Sequence, residues 1–404
     1  MKVLFITKEY PPHVYGGAGV HVEYLASELS KLISVEVRAF GQQNDRKDDL
    51  IVKGYESPKE SFNHADQQLK SIFNTLATDL EIAAPIVDAD VVHCHTWYSH
   101  FAGIMAKLCY GKPLVLTTHS LEPLRPWKRE QLGKGYDMSS WIEKTAIEMA
   151  DGIIAVSEGT KSEVLEHFKV DEDKIEVIYN GIDLQQYQMT HQTTVLQEYG
   201  IDPDKPYVLF VGRITRQKGI IHLVRAIEFI NEGVQVVLCA GAPDTDDIAI
   251  EMTRAVEKAS HNRDDIFWID KMLDKQDIIQ LYSHAALFCC PSIYEPFGII
   301  NIEAMACKTP VVASAVGGIK EVVIHEETGL LVPVEQQKVA PFEPIDADKF
   351  SKDLANAINT LLEDKKLRQT MAKNSRQRVE EHFDWKAIAK QTKNMYHKII
   401  AKNV

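Results

Sequence analysis

The chain has 404 residues, 45% of them hydrophobic, and its 45 Lys and Arg against 58 Asp and Glu give a formal net charge of −13. That length exceeds the roughly 250–300 residues a single core serves, so at least two domains are expected. The acidic balance argues against nucleic acid or an anionic membrane surface as partner, and no apolar run approaches the roughly 20 residues that span a bilayer.

MKVLFIT, at the start, reads as a buried strand with charged Lys8 and Glu9 behind it, not as a signal peptide. The 6 cysteines contain no C-x-x-C pair and mostly sit in apolar stretches, which fits reduced, buried thiols in a cytoplasmic protein. After strand Val3–Ile6 comes a Pro-rich loop, then Gly16-Gly17-Ala18-Gly19, then an amphipathic helix carrying Val20, Tyr24, Leu25 and Leu29. A strand, a glycine loop and a helix can present free amides to phosphate, or can simply form a tight turn. Strand VEVRAF follows, and residues 42–85 read as polar and mostly helical. Asp90–Cys94 and Leu114–Thr118 are buried strands ending at His95-Thr96-Trp97-Tyr98 and at His119; two further strands lie at Gly152–Val156 and Glu176–Tyr179. Ligands of open α/β sheets sit at strand carboxyl ends, where His95, Trp97 and His119 fall.

A polar, Gln-rich break after Asp183 marks a domain boundary. A second alternation then runs through Tyr207–Val211, Gln235–Ala240, Ile266–Ile269, Leu287–Cys290, Val311–Ala313 and Leu330–Val332, and a last amphipathic helix presents Trp385, Ile388, Met395 and Ile399. Alternating strands and helices imply an α/β protein with parallel sheets and right-handed crossovers. The expected domains are 1–185, joined by the helix 385–404, and 186–384.

Two constellations carry chemistry. Gly212 to Gly219, GRITRQKG, places Arg213 and Lys218 five residues apart in a glycine-bounded loop after the first strand of the second domain. A fork donor and a point charge there can stabilise a leaving diphosphate; the plainer reading is a solvated basic turn. Ser292–Lys308, SIYEPFGIINIEAMACK, combines a Pro/Gly turn with a new helix and carries Glu295 and Glu303 eight residues apart. The helix start offers amides to phosphate, and the two carboxylates can accept from sugar hydroxyls. Divalent-metal chemistry would need clustered carboxylates at a strand end. Asp88-Ala89-Asp90 precedes its strand, and Asp244–Asp247 reads as a turn and helix cap, so no metal is expected.

These segments, with KEYPPHVYGGAGVHV, HCHTWY and THSLEPLRPWK, resemble the retaining glycosyltransferases of the GT-B fold, in particular short, actinobacterial-type glycogen synthases of glycosyltransferase family 4, a group that includes maltose-1-phosphate synthases. The resemblance implies two facing Rossmann-like, doubly wound domains with a cleft between them. It implies transfer of glucose from ADP-glucose to an α-1,4-glucan or to glucose 1-phosphate, with no cofactor. By this likeness Glu295, Arg213, Lys218 and His119 are catalytic. Gly16, Gly17, Phe297, Gly298, Ile299, Ile300 and Glu303 join Arg213 and Lys218 in holding the donor, with Met272 and Leu273 near its base. The loop LEPLRPWKR, whose Arg125, Trp127 and Lys128 can stack on and neutralise an anionic sugar, joins Trp97 and Tyr98 as acceptor residues. Polymer-elongating relatives carry K-T-G-G where this chain has Val14-Tyr15-Gly16-Gly17, which departs from that assignment and is compatible with the shorter subgroup. The alternatives are a transferase of this fold using UDP-glucose, a dinucleotide-dependent dehydrogenase whose glycine fingerprint is only loosely matched, and a silent nucleotide-sugar sensor.

Overall fold

The computed structural model describes residues 1–58 and 62–403, and the chain divides into two compact units, Met1–Gly181 with Trp385–Val404, and Ile182–Asp384. In the first, eight strands form one sheet: β1 Lys2–Thr7, β2 Ser34–Phe40, β3 Asn44–Lys47, β4 Leu50–Tyr55, β5 Val91–His95, β6 Leu114–Thr118, β7 Gly152–Ala155 and β8 Ile175–Val177. Their order is β3-β4-β2-β1-β5-β6-β7-β8, parallel except for the antiparallel edge pair β3–β4. Central strands such as β5 and β6 are buried at every residue, as sheets covered on both faces require.

The hairpin corrects the sequence reading of residues 42–85 as mostly helical. The segment Leu50–Tyr55 alternates loosely enough to escape notice, yet it pairs with β2 in parallel register, while β3 is fully exposed and supplies a polar edge. A helix does occupy Lys70–Ala83, and residues 59–61 of that stretch lie outside the described residues. The last helix, Trp385–Lys402, buries Trp385, Ile388, Met395, Tyr396 and Ile399 in the same core as Val3 and Phe5. Gly152 makes that possible, because a Cβ there would lie 2.4 Å from Ile399 Cδ1.

In the second unit six parallel strands, β9 Tyr207–Arg213, β10 Gln235–Gly241, β11 Ile266–Ile269, β12 Leu287–Cys290, β13 Val311–Ser314 and β14 Gly329–Val332, take the order β11-β10-β9-β12-β13-β14. Strand order therefore reverses beside β1 and β5 in one sheet and beside β9 and β12 in the other. Crevices for ligands open at such switch points. The carboxyl ends of these four strands lead into Glu9–Gly16, Thr96–Tyr98, the Arg213–Lys218 segment and Pro291–Gly298. No helix among the described residues is long and apolar enough to cross a membrane.

Candidate active site

In the second unit, β9 ends at Arg213 and the chain tightens into a short helical turn, Arg216–Lys218, capped by Thr215 Oγ1 accepting from Lys218 N at 3.3 Å. Gly219 ends that turn at φ +60°, and a Cβ there would lie 2.1 Å from Pro291 O, so only glycine lets this loop pack on the one after β12. The close approach brings Lys218 Nζ to 2.6 Å from Glu295 Oε2, which also accepts from Ser292 Oγ at 3.2 Å. Burial acts to lower the Lys218 pKa, but the Glu295 carboxylate and the neighbouring Cys290 outweigh it, and the net shift is upward. The ammonium is thus kept charged. Arg213 Nη1 donates to Asp244 Oδ1 at 2.8 Å. Asp244 is engaged by that contact, and Thr245 caps the following helix.

The Glu295 segment is braced from behind. Gly318 N donates to Glu295 O at 3.0 Å, and a Cβ on Gly317 would sit 2.2 Å from that oxygen. Gly298, at φ +96°, opens the helix Ile299–Ala306, with Phe297 buried just before it. Ile299 and Ile300 form its first turn, and half-buried Glu303 projects one turn in. Tyr187 Oη donates to Glu303 Oε1 at 2.9 Å and Tyr282 Oη to Oε2 at 3.1 Å. Burial raises the Glu303 pKa, and these two donors oppose the rise. Met272, exposed, and Leu273 lie in the loop after β11, beside Lys271, whose ammonium is 5.1 Å from the Tyr199 ring centroid.

In the first unit the glycine loop is already in use. Glu9 Oε2 accepts from the amides of Tyr15 at 2.9 Å and Gly16 at 2.7 Å, and the helix begins at Gly17. Gly19 must lack a side chain because a Cβ would meet Glu9 Oε2 at 2.9 Å. His119, after β6, meets His95 from the end of β5, Nε2 to Nδ1 at 3.2 Å, and the His21 ring centroid lies 4.7 Å from that of His119. His21 Nδ1 contacts Asn180 Oδ1 at 2.5 Å. Burial drives the pKa of His119 and His95 well below the ordinary histidine value and that of His21 down to about 4. All three are neutral at pH 7, and among the described residues they are the one His, Cys and carboxylate group close enough to share an ion.

The residues expected to meet the acceptor are placed unequally. Tyr98 stacks on Trp97 with centroids 4.1 Å apart, and burial pushes its pKa up to about 12. Trp97 itself is packed with Ile72, Leu132 and Tyr136, so its ring is core and not a face for a sugar. Arg125 donates to Ser120 Oγ and lies 3.9 Å from Glu122 Oε1. Trp127 is half-buried, and Lys128 Nζ lies 5.8 Å from the Tyr98 centroid. The sequence reading passed over Tyr187 and Tyr282, which clasp Glu303, and Lys8, His21 and Glu9; position after or beside the switch-point strand β1 was the available signal for the last three.

Two doubly wound parallel sheets with these loops at their switch points define a glycosyltransferase of the GT-B fold. Residues 15–186 match the family described as Glycosyltransferase Family 4, and residues 191–341 that described as Glycosyl transferases group 1. Alpha-maltose-1-phosphate synthase of Mycolicibacterium smegmatis is 45% identical across 99% of this chain and 100% of its own length, whereas a glycogen synthase of Mycobacterium tuberculosis is 26% identical across 98% and 94%. Among solved structures, a sucrose-phosphate synthase from Thermosynechococcus elongatus superposes with a TM-score of 0.80 at 26% identity, covering 100% of both chains. The chain belongs to glycosyltransferase family 4, and it is an enzyme that transfers a sugar.

Proposed function

We propose that the chain is a retaining α-glucosyltransferase that moves glucose from ADP-glucose to glucose 1-phosphate, with an α-1,4-glucan end as the second acceptor. The observation that carries this reading is the near-complete alignment at 45% identity with an alpha-maltose-1-phosphate synthase, against 26% with a glycogen synthase. The Val14-Tyr15 pair in place of a K-T dipeptide before the double glycine points the same way.

In this reading the donor diphosphate lies against Arg213, Lys218 and the amides that follow Gly298, and its ribose is received by Glu303. The bond from the anomeric carbon to the diphosphate oxygen breaks, the bond to the acceptor oxygen forms on the same face, and the acceptor proton passes to the leaving diphosphate. Negative charge grows on that leaving group, and two preorganised cations in a partly desolvated site stabilise it as it forms. Glu295 holds Lys218 in place before the donor arrives and faces the positive charge that develops on the sugar. A neutral His119 can accept from or donate to a sugar hydroxyl without adding charge beside that developing cation. The nucleotide is taken from the family resemblance, and the metal-independence of the step is inferred from the residues: Arg213 and Lys218 supply the countercharge that an ion would otherwise bring, and Asp244 is occupied by Arg213.

Product analysis tests this directly. ADP-glucose with glucose 1-phosphate is expected to yield maltose 1-phosphate faster than ADP-glucose with glycogen yields a longer chain. Transfer to glycogen alone, or a strong preference for UDP-glucose, contradicts it.

A further inference from the structure

Lys8 follows β1, the strand at which the order of the first sheet reverses, so it stands among the loops where a ligand of that unit lies. Its ammonium is 3.7 Å from the centroid of the Tyr98 ring. Its sequence neighbour Glu9 is turned away, its carboxylate committed to the amides of Tyr15 and Gly16. Among the described residues no carboxylate pairs with Lys8, which leaves three strong donors with little but a π face. Burial lowers the Lys8 pKa, with Glu9 acting in the opposite sense. Two more cations bear on the same ring. Lys128 Nζ is 5.8 Å from its centroid, and the Arg125 charge acts on its hydroxyl against burial and the larger opposite influence of Glu122. Arg125 Nε is buried and makes no hydrogen bond. A neutral glucan end would leave the partly desolvated Lys8 ammonium without an anionic partner. A phosphate offers the acceptor oxygens that ammonium and guanidinium groups bind most strongly.

We propose that Lys8 is an acceptor-specificity residue: with Arg125 and Lys128 around Tyr98, it holds the phosphomonoester of a sugar-phosphate acceptor and selects that acceptor over an uncharged glucan. This rests on the reading that the acceptor carries a phosphate. An anion at these cations has two chemical sources, the acceptor's monoester and the donor's diphosphate, and the experiment separates them.

The test measures KM for donor and for glucose 1-phosphate separately in the wild type, Lys8→Met and Lys8→Arg, together with calorimetric titration of glucose 1-phosphate alone and of ADP alone. Lys8→Met is expected to raise the glucose 1-phosphate KM about 10- to 100-fold, the loss of one charge-assisted contact, while donor KM and ADP affinity move less than about twofold and Lys8→Arg recovers most of the loss. An unchanged glucose 1-phosphate KM in Lys8→Met overturns the proposal, and so does a loss carried by donor KM or ADP affinity. If the wild type neither binds nor glucosylates glucose 1-phosphate, the functional reading fails and this inference with it. Use of glucose 1-phosphate without dependence on Lys8 removes this inference alone.

Discussion

The functional groups of the two units are kept ready by opposite means. In the second unit every charged group of the candidate site has a named partner: Lys218 with Glu295, Arg213 with Asp244, Glu303 with Tyr187 and Tyr282. In the first, burial strips charge from the histidines, and Lys8 rests on a ring without a carboxylate. Under the proposed function, paired charges present fixed countercharge to a diphosphate, while neutral imidazoles and a cation on a ring receive a sugar and tell its substituents apart.

The largest effects are expected where pairing is tightest. Lys218→Ala and Glu295→Ala should each lower kcat by at least about 10²-fold, as losses of oxyanion-type stabilisation do. Each also leaves an uncompensated, largely buried charge, at a cost of about 3–5 kcal/mol in stability, so thermal melts must accompany the kinetics. Near-normal turnover in either folded variant would remove the pair from the mechanism.

The next effect belongs to the neutral cluster. A histidine with ordinary pKa 6.5 when unfolded and about 4 when folded leaves the unfolded chain holding more protons between those values. Its contribution to stability is therefore complete above pH 6.5 and is lost as pH falls toward 4, by a few kcal/mol in order of magnitude. His93, His95 and His119 shift in the same direction and steepen the fall. His21→Gln should flatten the dependence of unfolding free energy on pH in that window. An unchanged slope in chemical denaturation would show that His21 is not held neutral.

The smallest effect tests the clasp on Glu303. Tyr187→Phe deletes one hydrogen bond worth about 1 kcal/mol, so donor KM should rise about fivefold with kcat little changed. A fall in kcat with constant KM would move Glu303 from ground-state donor binding to the chemical step.

Much of the second unit was legible because its site is local in sequence. GRITRQKG and YEPFGIINIE each lie at the end of one strand, β9 and β12, whose apolar residues identify themselves. What could not be read was Tyr187, which reaches Glu303 from a Gln-rich stretch that looked like linker, and the role of Asp244 as a partner for Arg213. The first unit was less legible for the same reason reversed. His21, His95 and His119 meet only once two strand ends and a helix are assembled, and nothing in the local pattern of Trp97 distinguishes a sugar platform from core. The β3–β4 hairpin was missed because a short polar edge strand carries almost no apolar period.

The central claim is that fixed cations, Lys218 and Arg213, answer the charge of the departing diphosphate. The most direct measurement is turnover of ADP-glucose after exhaustive treatment with chelator, then with added magnesium or manganese. The account predicts the same kcat throughout; loss of turnover on chelation and its return with the metal would contradict it.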